Sequence, residues 1–142
     1  MDIKLIVAMI GIASVVVSAI VQFFLGRQNE KAKKAVEIKA QAYLDLVNSV
    51  SEIASTVKSN GLIEQEQLKR LIQSKSRVVL IGSDEVLKEI HAHFTAHDKL
   101  DTDESFDSFS KLILAMRHDL SGKSNIELNI LSEALFGSKN KT

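Results

Sequence analysis

The side chains best suited to chemistry in this chain are its histidines, and three of the four sit close together at His91, His93 and His97. On a helix Glu89, His93 and His97 fall at i, i+4 and i+8 and make one line, while His91 points elsewhere. Two histidines one turn apart with a carboxylate are a zinc-binding arrangement. The order is not the metalloprotease His-Glu-x-x-His, however, and no distant residue completes a ligand set. The line therefore reads as an exposed polar face with modest pH sensitivity. The fourth histidine, His118, is followed by Asp119. A phosphohydrolase centre built on such a pair needs another histidine, for which His91 or His93 would serve, and a later aspartate. No Asp follows Asp119, so Arg117-His118-Asp119 reads as the end of a helix, where basic groups suit the dipole. Cysteine is absent, which excludes thiol nucleophiles and zinc thiolates. Gly82 and Gly122 are isolated rather than part of a phosphate-binding loop, and no serine has a recognisable base and oxyanion pocket. No catalytic, cofactor-binding or metal-binding residue is assigned, and the chain reads as a non-enzyme.

The segment that locates this protein is residues 5–25, which carries no charge. At ~1.5 Å rise per residue, a helix of that length covers ~31 Å, one bilayer hydrocarbon core. Lys4 is the only basic side chain before it, and the best cleavage-like site, Val17-Ser18-Ala19, lies inside the run. Those features indicate a retained anchor rather than an export signal. Arg27, Lys31, Lys33, Lys34 and Lys39 follow, so the positive-inside rule puts the N-terminus outside and the rest in the cytoplasm of an inner membrane. Arg27, Lys31, Lys33 and Lys34 are candidate contacts for anionic lipid, at roughly 1 kcal/mol per basic residue. Within the anchor Gly11, Ser14, Ser18 and Gln22 share one helical face. Small residues at that spacing allow close helix approach, and Gln22 can hydrogen-bond across an interface, which points to a homo-oligomer. A ring of such helices lining a water-filled pore is the alternative.

Beyond the anchor, the patterning is helical throughout. Between Arg27 and Ser59 no glycine or proline intervenes, and Val36, Tyr43, Val50 and Val57 recur with Leu46, Ile53, Ala40, Val47 and Ala54 as a bundle-packing face. One helix from Ile3 to Ser59 is expected, with Gly26 a possible joint and Ser59-Asn60-Gly61 its stop. A second helix over 64–80 is expected to turn Leu68, Leu71, Ile72, Val78 and Val79 inward. Ser83 is an N-cap for a third, with Asp84 and Glu85 in its first turn and Val86, Leu87, Ile90 and Phe94 in the core. A fourth follows the acidic loop 98–104 and packs Phe106, Phe109, Leu112, Ile113, Met116 and Leu120. A short fifth, over 126–135, ends at Phe136-Gly137. The expected organisation is an anchor at 1–26, a helical bundle at 27–137 and a polar tail at 138–142. The fold class is all-α: one N-terminal transmembrane helix followed by a small cytosolic helical bundle.

Net charge is zero, which gives no reason to expect nucleic-acid binding. Residues 84–107 are acidic, and Asp84, Glu85, Glu89, His93 and His97 form a candidate docking surface for a cytosolic protein partner. The segments Ala42-Tyr43-Leu44-Asp45-Leu46, Gly82-Ser83-Asp84-Glu85-Val86 and Ala115-Met116-Arg117-His118-Asp119-Leu120 together resemble those of small bacterial proteins with one N-terminal membrane helix and a cytosolic helical domain. Some of that group are associated with antiphage defence, and the resemblance implies an effector or accessory role without catalytic residues. Helical HEPN ribonucleases share the size and class, but none of Arg27, Arg70, Arg77 or Arg117 has a histidine at their spacing. The expected partners are membrane lipids, further copies of the chain and a cytosolic protein. The leading reading is self-association or partner recruitment at the membrane. The alternative is an oligomeric, membrane-perturbing effector triggered through the cytosolic domain.

Overall fold

With no proline to stop it, one long first helix, α1, runs over Ile3–Lys58, with Gly11 and Gly26 inside it. The structure, a computed structural model, describes residues 3–137, with side-chain surroundings from residue 15 onward. The expected tail, 138–142, lies outside the described residues. Four shorter helices follow: α2 (Gln65–Ile81), α3 (Asp84–Ala96), α4 (Asp103–Ser121) and α5 (Leu128–Phe136). Among the described residues there is no strand, so the chain is all-α and Val78–Ile81 is helix rather than strand. Contacts divide it into two units, residues 1–37 and residues 38–142.

The stop of α1 is built as the sequence suggests. Asn60 takes the left-handed conformation at φ 58°, the Gly61 N–H reaches the Thr56 carbonyl at 2.9 Å, and the Asn60 N–H reaches Val57 at 3.1 Å. These are the two bonds of a Schellman ending. α2 then returns along α1. Gln67 Nε2 donates to Thr56 Oγ1 (3.0 Å), Arg70 pairs with Glu52 (2.6 Å), and Arg77 pairs with Asp45 (2.8 Å). Ascending numbers on α2 meet descending numbers on α1, so the two helices are antiparallel.

The inward face of α2 differs from expectation. Gln67, Ser74 and Val78 are buried, with Leu71 and Ile81 half-buried, a stripe at i, i+4, i+7, i+11 and i+14. Leu68, Ile72 and Val79 lie about 100° around the helix and stay exposed. Leu71 and Val78 are inward as the pattern predicts; the other three are not. The reason is polar: buried Gln67 is satisfied by Thr56, by Glu52 and by the Glu64 N–H, so a hydrogen-bonding residue holds the seam.

Gly82 joins α2 to α3 because the backbone approaches itself there. Its N–H bonds the Val78 carbonyl at 2.7 Å, and a Cβ would stand 2.7 Å from that oxygen. Ser83 accepts from the Val86 N–H, the expected cap. α4 begins with a reciprocal cap absent from the sequence reading, in which Thr102 Oγ1 accepts from the Ser105 N–H and Ser105 Oγ from the Thr102 N–H. Gly122 and Gly137 end α4 and α5 at φ 83° and 82°. The core of the second unit joins Ala42, Tyr43, Leu46 and Val50 of α1 to Val78, Val86, Ile90, Phe109, Leu112, Ala115 and Met116. Val36, expected on the packing face, is exposed, as it belongs to the first unit.

Candidate functional site

Two places in the bundle concentrate polar groups against the core. The first joins the three segments singled out by resemblance. Tyr43 of α1 occupies a core position, and a buried phenol requires a hydrogen-bond partner. It donates to Asp119 Oδ2 of α4, and Lys39, one turn earlier on α1, pairs with the same carboxylate at 3.2 Å. Burial, then Asp119 beside it, raises the Tyr43 pKa well above the ordinary phenol value, so the hydroxyl keeps its proton. Next to Asp119, His118 Nδ1 meets Glu85 of α3 at 3.2 Å, while its Nε2 is enclosed without a partner among the described residues. His118 and Asp119 were expected to serve the end of α4. Both lie in its last turn, with His118 the basic residue there, and their side chains also link α4 to α3 and α1. The cap is backbone alone, from the Gly122 N–H to the His118 carbonyl.

The second place centres on His93. The expected exposed face is corrected here, because His93 is only 3% exposed. It follows Val86 and Ile90 at i+7 and i+3, which puts it on the core seam of α3 rather than on a polar line. Its ring lies 5.0 Å from Phe94, 5.5 Å from Phe109 and 5.6 Å from His97, and Nδ1 meets Ser108 Oγ at 3.1 Å. Burial, then His97 and Lys75, lowers its pKa to about 4, so the imidazole is neutral near pH 7. Lys75 Nζ rests 4.1 Å from the centre of the Phe94 ring.

Beside His93 the bundle carries an open recess. The recess, of about 750 Å³, is lined by Val50, Ile53, Ala54 and Val57 of α1, Leu71 of α2, His93 and Phe94 of α3 and His97 just after it, Phe106 of α4 and Phe136 of α5. Phe106 and Phe136 stack at 4.4 Å to form one wall. Lys58, Asp98, Lys99 and Asp101 also line it. Neither hydropathy nor motif reading pointed to this recess. The available signal was a histidine recurring in register with Val86 and Ile90.

The other expected positions differ in exposure. Asp84 and Glu85 are exposed at the start of α3, Glu89 and His97 are half-buried, and His93 is interior. Ser18 and Gln22 are exposed on α1, while the side chains of Gly11 and Ser14 lie outside the described residues. Arg27, Lys31, Lys33 and Lys34 are all exposed on α1. Among the described residues no helix is long and apolar enough to cross a membrane, and the side chains of residues 5–14 of the apolar run fall outside that set. Nor do three His, Asp or Glu side chains among the described residues converge as a metal site. No protein-family model, curated protein or solved structure matches this chain.

Proposed function

We propose that this is a single-pass inner-membrane protein, anchored through residues 5–25, whose cytosolic helical bundle self-associates or recruits a protein partner. The observation that carries the reading is the uncovered apolar stretch of α1. Val15, Val16, Val17, Ile20, Val21, Phe23, Phe24 and Leu25 are each at least 50% exposed. A helix at the surface of a water-soluble protein keeps a polar face, and this stretch has only Ser18 and Gln22 to make one. Lipid or other helices must cover it. The exposed Arg27, Lys31, Lys33 and Lys34 follow immediately, where anionic headgroups attract basic side chains and hold them on the cytoplasmic side. In the bundle the exposed stripe Leu68, Ile72 and Val79 of α2 supports docking, since it offers apolar surface that its own fold does not use.

Single cysteines at Ser14, Ser18 and Gln22 test this in a chain that has none of its own. The chain is expected in washed membranes, with cross-linking between copies and no labelling by a water-soluble thiol reagent. Recovery in the soluble fraction would overturn the anchor. Labelling at successive positions would mean that water reaches the stripe, and would transfer the function to a pore-forming effector.

A further inference from the structure

The recess beside His93 has no role in anchoring or in the α2 stripe. We propose that it is a binding site for a small, uncharged, mostly apolar molecule that presents one hydrogen-bonding group to the His93 imidazole. Three observations carry this. The volume, about 750 Å³, falls within the range of small-molecule sites, and all five helices contribute wall residues. The walls are aliphatic and aromatic, with Ile53, Val57, Leu71, Phe94, Phe106 and Phe136 providing apolar contact. Of the polar lining residues His93 is the buried one, and Ser108 occupies its Nδ1, which leaves Nε2 as the ring's remaining hydrogen-bonding atom.

The charge pattern selects the class of ligand. Lys58 and Lys99 equal Asp98 and Asp101 in number, so the formal charge of the lining favours neither a carboxylate nor an ammonium. Lys75, the cation packed on Phe94, is not among the lining residues. A neutral imidazole does not compensate a buried ion, and an ion without a partner is costly to bury. An alcohol or a phenol meets neither penalty. Both can donate to or accept from a neutral ring nitrogen.

The test uses the full chain in lipid nanodiscs and the methyl resonances of Ile53, Val57 and Leu71. Titration with 1-decanol is expected to give saturable shifts at these methyls, with only linear, unsaturated change at Ile20 and Val21. Decanoate and decyltrimethylammonium are expected to bind at least about tenfold more weakly, the discrimination that about 1.4 kcal/mol provides. Ala54→Phe, which fills the recess, is expected to abolish saturation while retaining helix content and melting temperature. Val57→Phe serves the same purpose if the first variant unfolds. The proposal fails if decanol gives no saturable shift, or if either folded variant binds it unchanged. Tighter binding of either ion overturns the uncharged class. Shifts that follow protein concentration rather than decanol would mean that a second copy covers the recess.

Discussion

The two ends of the bundle solve the same packing problem in opposite ways. At the Tyr43 end, polar side chains from α1, α3 and α4 interlock: Tyr43 and Lys39 share Asp119, and His118 meets Glu85. At the His93 end the same helices leave a recess, and a histidine sits in the core with its ring neutral. The first arrangement links helices directly, because each of its bonds joins side chains on two different helices. The second leaves volume free beside a hydrogen-bonding group. In this molecule buried polar side chains join helices at one end and border free volume at the other.

The sharpest way to break the contrast is Asp119→Ala, which strands a buried phenol and a half-buried ammonium together. It is expected to destabilise the bundle by roughly 3 kcal/mol, read by urea unfolding of helix content. Acid acts at the opposite end with similar size. Because the folded pKa of His93 is about 4 and the unfolded value about 6.5, the unfolded chain binds the extra proton between them. Its contribution is complete above about pH 6.5 and is lost as pH falls towards 4, a difference of about 3 kcal/mol. His93→Leu is expected to flatten this part of the stability–pH curve, and an unchanged slope would move the acid sensitivity elsewhere.

Smaller effects separate packed from hollow space. Ala42 is fully buried, so Ala42→Phe is expected to cost about 1–3 kcal/mol by overpacking, whereas Ala54→Phe changes stability by less than about 0.5 kcal/mol because the recess receives the ring. Equal costs at the two alanines would show that the two ends are packed alike. Tyr43→Phe keeps the ring and removes one hydrogen bond from Asp119, which Lys39 still holds. A loss of about 1 kcal/mol is expected from thermal unfolding.

Helix order and helix ends were legible in the sequence because they depend on local chemistry. Asn60-Gly61, Ser83, Gly122 and Gly137 each act where their conformational preferences predict, and the α4 face from Phe109 to Met116 is buried in phase. What eluded the sequence was polar burial. Gln67 and Ser74 displace Leu68 and Ile72 from the seam of α2 because Gln67 finds Thr56 and Glu52 on α1, partners eleven and fifteen residues away. His93 read as part of a polar line because it shares that line with Glu89 and His97; its register with Val86 and Ile90 decides the matter instead. The Asp119 cluster required Tyr43 and Asp119 to meet across 76 residues, which no local spacing encodes.

The position of Lys39 and Tyr43 has a mechanical meaning. Counting from the N-terminal side, Lys39 is the first described residue of α1 bonded to another helix, and Tyr43 comes one turn later. Tension arriving along α1 would meet the bonds to Asp119 and the buried Ala42 before it reached Leu46 and Val50. A pull strong enough to release Lys39 and Tyr43 would loosen α4 at its C-terminal end before it disturbed the walls around His93.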